Sequence, residues 1–548
     1  MASCSVPSSP PPPRLRSLRR PNSLPDARFP VLSRRRNFSC LRVEQFASRS
    51  ANFRVAVVTA SEVSGREERR GDGFGFGGAD DFEEELQGLF DEVKGMIADG
   101  KAEDARSLLQ ANLEAVKMQL KEGLGGIREA ALLDVLGLGY MALGELKVVA
   151  TILDLMEEIL GNLKGGDRLV DSILMHMGSM YSKLGKYDKS LRMYERAVGI
   201  LANTYGENAF LVSPLLGMAN ALGSTGRTTK AVEVYNRAIA ILEQDRGVES
   251  EELVVPLSGL GNLWVKEGKA DLAENAFNRI LSIYKKLYGE NDGRVGLALS
   301  SLAQAKCAKG DINEAIQLYE DAIQVLKDSK FVALDDGLME KLRTDLAELL
   351  HVAGRYSEGR EQLEENLLIN EKFKGKGHPS SVPHFVNLAS SYSRAKNFVE
   401  AERLLRTGLN ILTAKVGPED PYISFPMLNL SVVLYHLERD LEAEKLATEA
   451  LHIRERAFGK DSVPVGEALD CLISIETRLG EGDEKLLELL KRVLVIQEKH
   501  MGHESEEVLL TLKKLVFYLD RLGRKDEKTR LQRRLSMLKA KYKQMIRY

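Results

Sequence analysis

The sequence predicts an all-α fold, a right-handed superhelix (α-solenoid) of about eleven helix-turn-helix repeats. The first observation is a glycine that recurs every 41 to 44 residues along most of the chain. The second is the helical spacing of apolar residues on both sides of it. This turn residue is, in order, Gly100, Gly144, Gly185, Gly226, Gly268, Gly310, Gly354, Lys396, Glu438, Gly480 and Gly523. Such a period is typical of solenoids, in which each unit buries its apolar face by stacking on its neighbours.

The repeat around Gly185 shows the predicted unit most clearly. Small and bulky residues at helical spacing precede the glycine at Leu174, Met177, Gly178 and Tyr181. A second such run follows it at Ser190, Tyr194 and Ala197. Residues three and four apart share one face of a helix. Each repeat is therefore predicted to be two amphipathic helices joined by a tight turn.

The following repeats keep this scheme with different letters. The second helix has a recurring small position, at Ala231, Ala273, Ala315, Gly359, Ala401 and Ala443. Its bulky position is occupied by Tyr235, Phe277, Tyr319, Leu363, Leu405 and, as a departure, Ala447. Links between repeats begin with glycine, as at Gly206, Gly289, Gly377, Gly417 and Gly459. We interpret these stripes as core, because apolar residues at helical spacing are usually buried.

These letters resemble the tetratricopeptide repeat (TPR), with a small residue and a tyrosine in the first helix and an alanine and an aromatic in the second. A typical unit of that family has 34 residues, whereas the units here have about 42. The longer unit, the glycine-containing links and Asn387-Leu388-Ala389 resemble the kinesin light chain and nephrocystin type. The resemblance covers about residues 95 to 535. It implies a concave groove that binds extended segments of partner proteins.

The first sixty residues differ from the rest of the chain. They contain 11 arginines, no lysine and only two acids, Asp26 and Glu44, and they begin with a serine-rich and proline-rich stretch. This composition is typical of an organelle transit peptide. We predict a chloroplast transit peptide at 1–60, with a mitochondrial one as the alternative, and a flexible glycine-rich linker at 61–80. The solenoid is predicted at 81–530 and a basic helical tail at 531–548.

Charge is distributed unevenly along the chain. Without residues 1–60 the chain has 66 basic and 78 acidic residues, and this acidic balance disfavours nucleic-acid binding. The last 28 residues have 11 basic residues and two acids. Their basic tail residues are Arg533, Arg534, Lys539, Lys541, Lys543 and Arg547. One interpretation is a solvated capping helix, and the other is docking on anionic lipid, RNA or an acidic partner.

The partner-binding groove is predicted on the exposed side of the first helices. Counting along the repeat selects Met175, Ser179, Leu216, Asn220, Ser258, Asn262, Ser300, Gln304, Thr344, Glu348, Asn387, Ser390, Asn429 and Val432. The asparagines Asn220, Asn262, Asn387 and Asn429 are the main candidates, because an amide both donates and accepts and so can pair with a peptide backbone. The alternative is that these asparagines serve helix ends or neighbouring repeats.

No pattern of an active site is present in the sequence. Metalloprotease, phosphate-loop and nucleophile-elbow motifs are all absent, and the eight histidines are scattered. Cys307 and Cys471 are four repeats apart and are not expected to form a disulfide or a metal site. No apolar run is long enough for a transmembrane helix. We predict no catalytic residue, cofactor or metal.

The resemblance and the amino-terminal composition together predict a non-catalytic scaffold or adaptor in the chloroplast, in the stroma or peripherally on the thylakoid. Its expected role is support of photosynthetic-complex assembly or chloroplast biogenesis. Two alternatives stay open. One is a cytosolic kinesin-light-chain-like cargo adaptor, and the other is a plastid RNA-associated factor that acts through the basic tail.

Overall fold

The computed structural model describes residues 80–123, 125–162 and 169–545, which contain 22 α-helices and no strand. The helices form eleven consecutive pairs, and each pair is joined at a turn residue. The first helices of the pairs are α1 (Asp80–Ala98), α3 (Ile127–Ala142), α5 (Val170–Lys183), α7 (Val212–Ser224), α9 (Val254–Lys266), α11 (Gly293–Lys309), α13 (Gly337–Val352), α15 (Val382–Arg394), α17 (Ser424–His436), α19 (Val463–Leu479) and α21 (Glu506–Arg521). The second helices are α2 (Ala102–Lys121), α4 (Leu146–Asn162), α6 (Tyr187–Tyr205), α8 (Thr228–Arg246), α10 (Ala270–Tyr288), α12 (Ile312–Ser329), α14 (Tyr356–Lys374), α16 (Phe398–Val416), α18 (Asp440–Phe458), α20 (Asp483–Met501) and α22 (Lys525–Met545). The predicted all-α fold of about eleven repeats is confirmed.

The turn residue ends the first helix of each pair in a left-handed conformation. At Gly185, the N–H of Lys186 donates to the carbonyl of Tyr181 at 2.9 Å, and the N–H of Gly185 donates to Ser182 at 3.0 Å. This pair of bonds satisfies carbonyls that the helix end leaves open. Lys396 and Glu438 adopt φ values of 61° and 60° in the same turn. The predicted register of these two exceptions is therefore correct, and the turn forms without glycine.

The links cap the following first helix. The side chains of Asn208, Asp292 and Asp420 each accept a hydrogen bond from the backbone N–H two residues later. His378 does the same through its ring nitrogen, which accepts from the N–H of Ser380 at 3.2 Å. A capping side chain satisfies one of the open N–H groups of a helix start. Four links contain a short 3-10 helix, at Ala209–Leu211, Glu251–Leu253, Pro379–Ser381 and Pro421–Ile423.

The small positions bring the helices close together. Ala231, Ala273 and Ala443 are completely buried. Tyr194 of α6 packs against Gly178 of α5, where an added Cβ would lie 2.8 Å from the ring. A larger side chain at these positions would clash, because protein interiors are close-packed.

The described chain divides into two compact units, one up to Ile369 and one from Asn370, so the boundary lies within α14. We call them the N-terminal unit and the C-terminal unit. The N-terminal unit contains three large apolar clusters, which include Leu109, Phe277 and Leu346. In the C-terminal unit, Leu388, Leu430 and Leu512 are among the buried residues.

The predicted domain boundaries stay predictions. The proposed transit peptide and residues 61–79 of the linker lie outside the described residues. The predicted start of the basic tail, residue 531, falls inside α22, which forms the second helix of the eleventh pair. No helix in the described part of the chain is long and apolar enough to cross a membrane.

Candidate functional site

The predicted groove residues occupy two positions on the first helices. Asn220, Asn262, Gln304 and Glu348 lie six residues before their turn residues, which we call position −6. Asn387 and Asn429 lie nine residues before theirs, at position −9. The two positions are about one helical turn apart. The four asparagines therefore do not form one series, and each unit contains two of them.

Three residues at position −6 hold a tyrosine hydroxyl of the second helix in their own repeat. The tyrosine is nine residues after the turn residue, at position +9. Tyr235 donates to Oδ1 of Asn220 at 2.5 Å. Ser179 hydrogen-bonds Tyr194, and Gln304 hydrogen-bonds Tyr319. Burial raises the pKa of Tyr194 and of Tyr235 to about 12, so both keep their hydroxyl proton at neutral pH. These polar residues thus have a structural partner.

Asn262 is the exception in this series. Position +9 of its repeat is Phe277, which has no hydroxyl. The Asn262 side chain is exposed and makes no hydrogen bond to another described residue. Its amide therefore keeps both donors and its acceptor for a ligand, unlike the amide of Asn220.

Three further predicted residues, Asn387, Asn429 and Ser300, differ in burial and hydrogen bonding. Asn387 is half-buried and has no hydrogen bond within the described chain, whereas Asn429 donates to the carbonyl of Phe425 at 2.9 Å. Ser300 is buried and donates to the carbonyl of Leu297. Asn262 and Asn387 are accordingly the predicted amides that are unpaired within the described residues.

Acidic groups lie on the first helix of the seventh pair. Glu348 is exposed at position −6, and Asp345 is half-buried at position −9 of the same helix. The pKa of Asp345 is raised to about 6, mainly by burial; Lys341 opposes the rise and Glu348 contributes to it. Asp345 also faces Tyr319 of the preceding pair closely enough to raise the pKa of that phenol, together with burial. This part of the face is therefore polar and negatively charged.

The same face carries more apolar side chains in the ninth pair, which belongs to the C-terminal unit, although Asn429 occupies its position −9. Leu428 and Val432 lie ten and six residues before Glu438, and both are half-buried. Phe425 lies one turn earlier, with 50% of its surface exposed. Leu428 and Phe425 were not among the predicted residues. Phe425 could have been identified by its position, thirteen residues before the turn residue Glu438. Val255 occupies the same position in the fifth repeat, before Gly268, and it is also exposed.

The predicted basic tail divides into two groups. Arg534 and Lys541 form ion pairs with Glu498 and Glu504 of the preceding repeat. Arg533, Lys539 and Lys543 are exposed and form no ion pair with a described residue, and Arg547 lies outside the described part. Of the predicted tail residues that the structure describes, Arg533, Lys539 and Lys543 keep their charge available for a ligand.

The described histidine, cysteine and acidic side chains are dispersed over the repeats. No cluster of three or more histidine, cysteine or acidic side chains could hold a metal ion in the described residues. Cys307 and Cys471 are free thiols. Burial raises the pKa of each to about 11, so both are protonated at neutral pH. His500 hydrogen-bonds the carbonyl of Asp461 at 2.9 Å.

Comparison with known proteins gives the following matches. Sequence models of the tetratricopeptide repeat match residues 169–244, 253–328, 338–414 and 427–463. The clustered mitochondria protein homolog of Xenopus tropicalis is 26% identical over 206 residues, which are 37% of this chain and 16% of that protein. The match thus spans less than a fifth of that relative's length.

Two solved structures are among the matches. Repeats of a putative kinesin light chain from Podosopora anserina are 20% identical, and the match covers 38% of this chain and 99% of that chain with a TM-score of 0.34. Yeast Tom70 is 13% identical over 84% of this chain and 97% of its own, with a TM-score of 0.36.

Proposed function

The chain is a tetratricopeptide-repeat protein, and from this premise we propose that it is a non-catalytic scaffold or adaptor that binds extended segments of partner proteins on its first helices. Repeats of this family support protein interaction in general. The finer proposal concerns which residues of this chain do so. It places the contacts on the exposed faces of the first helices within each unit.

The observation that carries this proposal is the unpaired amide of Asn262. An exposed asparagine with no partner in the fold contributes little to stability, whereas its donors and acceptor match those of a peptide backbone. Asn387 of the C-terminal unit is half-buried and likewise has no hydrogen bond within the described chain. Asn220 has the same side chain at the same position as Asn262, but its oxygen is occupied by Tyr235.

The test uses two variants, one that deletes the Asn262 amide and one that occupies it with a new hydroxyl. Partners are first captured on the full chain and identified by mass spectrometry, and one is then titrated. Asn262→Ala and Phe277→Tyr should each weaken binding several-fold, because the new hydroxyl of Phe277→Tyr occupies the Asn262 amide without deleting it. Asn278→Ala, which removes an exposed asparagine amide from the second helix of the same repeat, is the control. Unchanged affinity in both variants would contradict the proposal.

We further propose that the protein acts in the chloroplast, in the stroma or peripherally on the thylakoid. The support is the composition of residues 1–60 alone. A fusion of residues 1–70 to a fluorescent protein should enter plastids. Import into mitochondria would favour the alternative organelle, and a cytosolic signal would favour a cargo adaptor. The role in photosynthetic-complex assembly or chloroplast biogenesis rests on the same premise and falls with it.

Peripheral membrane contact is proposed for the unpaired group of the basic tail. Arg533→Glu with Lys539→Glu and Lys543→Glu should release the protein from anionic vesicles, because exposed cations attract anionic lipid. Arg534→Glu with Lys541→Glu is a contrasting variant, since these two residues are already paired with Glu498 and Glu504. Nuclease-sensitive association would instead support the RNA-associated alternative, and release by neither variant would contradict contact through the tail.

A further inference from the structure

The first link of the C-terminal unit carries an unusual cluster of positive charge. Lys372, Lys374 and Lys376 occur within five residues and are all exposed. None of the three forms an ion pair with a described residue. The ring nitrogen of nearby His378 is occupied by capping the next helix. The cluster therefore owes its charge to the three lysines.

In each of the other links of the same unit, an acidic residue forms an ion pair with a basic residue of this chain. They contain the acids Glu419, Asp461 and Glu504, two residues after the link glycine. These acids pair with Arg456, Lys499 and Lys541 of the following second helix. In the first link, the glycine that corresponds to Gly417 is Gly375, so the acid position is occupied by Gly377, and the corresponding basic position on α16 is Ala414.

An apolar group accompanies the lysines. Phe373 lies between Lys372 and Lys374 and exposes 52% of its surface. The ammonium of Lys372 is 6.0 Å from the centre of the ring. An added Cβ on Gly377 would meet nothing within 4 Å, so the space taken by an acidic side chain in the other links is open here.

We propose that residues 372–377, the last turn of α14 and the start of the link, bind an acidic segment of a partner protein that places an apolar side chain on Phe373. The segment would supply the carboxylates that the other links supply themselves. Three cations are too few for nucleic acid, where binding proteins neutralise roughly six to ten phosphates. They are also fewer than the roughly four to eight basic residues of a lipid-binding cluster. The site lies at a link rather than on the first-helix face, so it is independent of the proposed groove.

The test measures fluorescence anisotropy of a labelled twelve-residue peptide of aspartate and glutamate with one central leucine, titrated with the full chain. Lys372→Glu with Lys374→Glu and Lys376→Glu should weaken binding by at least about tenfold, and Phe373→Ala by about threefold. The control is Lys230→Glu with Lys269→Glu and Lys327→Glu, which changes the net charge equally at exposed, unpaired lysines. It should leave the affinity within about twofold.

Salt and competing ligands complete the test. Binding should weaken as salt rises, because exposed charges are screened beyond about 10 Å at 0.1 M. Absence of binding up to about 100 μM peptide, or an equal loss in the control variant, overturns the proposal. Tighter binding of single-stranded RNA or of phosphatidylserine vesicles, with the same sensitivity to the lysine variant, also overturns it in favour of those ligands.

Discussion

The first-helix faces of the two units use equivalent positions differently. In the N-terminal unit, Ser179, Asn220 and Gln304 hold the hydroxyls of tyrosines at position +9. In the C-terminal unit, position +9 is Leu405 in the eighth pair and Ala447 in the ninth. Position −6 is Ser390 in the eighth pair and Val432 in the ninth, so neither residue faces a tyrosine hydroxyl at position +9.

This difference separates structural from available polar residues. A polar side chain on an exposed helix face looks like a ligand-binding group, but a tyrosine from the adjacent helix can occupy it. Asn262 stands out because its repeat has Phe277 instead of tyrosine. The N-terminal face is thus available for polar contacts chiefly where the tyrosine is missing, and the ninth pair presents apolar groups instead.

The largest expected effect concerns a charge in the core of the N-terminal unit. Arg343 is 1% exposed, and its Nε and Nη2 atoms have no hydrogen-bond partner. The equivalent residues of the C-terminal unit are Phe385, Met427 and Leu469. Because a buried, partly unsatisfied charge is often less stable than an apolar residue of similar volume, Arg343→Met should raise the free energy of unfolding by about 1–3 kcal/mol. Urea denaturation measures this.

The exposed Arg196→Met is the matched control and should change stability by less than about 0.5 kcal/mol. Arg343→Met also removes the hydrogen bond from Nη1 to Asn366, at 3.3 Å, and the ion pair of Nε with Glu365, at 3.6 Å, and these losses limit the gain. A net destabilisation would show that this guanidinium stabilises the unit, and the contrast with the C-terminal core would then fail.

The next effect depends on pH. Because burial raises the pKa of Asp345 to about 6 from its usual 3.8, the folded state binds this proton more tightly than the unfolded state. The stabilising contribution is complete below about pH 4 and is lost as the pH rises through 6. Position −9 is occupied by asparagine in the eighth and ninth pairs, at Asn387 and Asn429. Asp345→Asn introduces the same residue in the seventh pair and should stabilise the protein by about 1–2 kcal/mol at pH 8.

The same variant should be neutral at pH 4. Asp335→Asn, at an exposed acid in the preceding link, is the control at both pH values. A gain from Asp345→Asn that is equal at pH 4 and pH 8 would exclude titration of Asp345 as its cause.

A smaller effect tests the tyrosine contrast directly. Tyr235→Phe removes the hydrogen bond to Asn220 and should cost about 1 kcal/mol of unfolding free energy. Phe277→Tyr should recover a similar hydrogen bond with Asn262 and should cost nothing. Equal effects of the two substitutions, measured by thermal unfolding, would mean that the −6 and +9 positions are not coupled.

The smallest effect concerns the turns. Lys396 and Glu438 of the C-terminal unit have positive φ, where residues with a Cβ are strained. Lys396→Gly and Glu438→Gly should each stabilise the protein by about 0.5 kcal/mol, because relief of strain exceeds the added entropy of the unfolded chain. The reverse change, Gly354→Lys in the N-terminal unit, should destabilise it. A loss of stability in both glycine variants would contradict this account.

Much of the fold could be predicted because the same pattern of turn residues and apolar residues recurs in each repeat. The register of Lys396 and Glu438 was found without a glycine, since the neighbouring repeats fix the spacing. Less of the candidate site could be predicted from the sequence. Asn387 and Asn429 were grouped with Asn220 and Asn262 by residue type, although they lie one turn away on the helix. The sequence shows that position +9 is a tyrosine in some repeats and a phenylalanine in another. Only the structure shows that the tyrosine hydroxyl contacts the residue at position −6.

By itself the sequence determined the helices, their turns and the number of repeats, because these depend on local spacing and on residues near one another in the chain. Only the tertiary structure decided which polar groups are occupied. Tyr235 and Asn220 are fifteen residues apart, and Arg534 and Glu498 thirty-six, and their pairing depends on how one helix packs against another. Residues with the same side chain, such as Asn220 and Asn262, therefore differ in what they can bind.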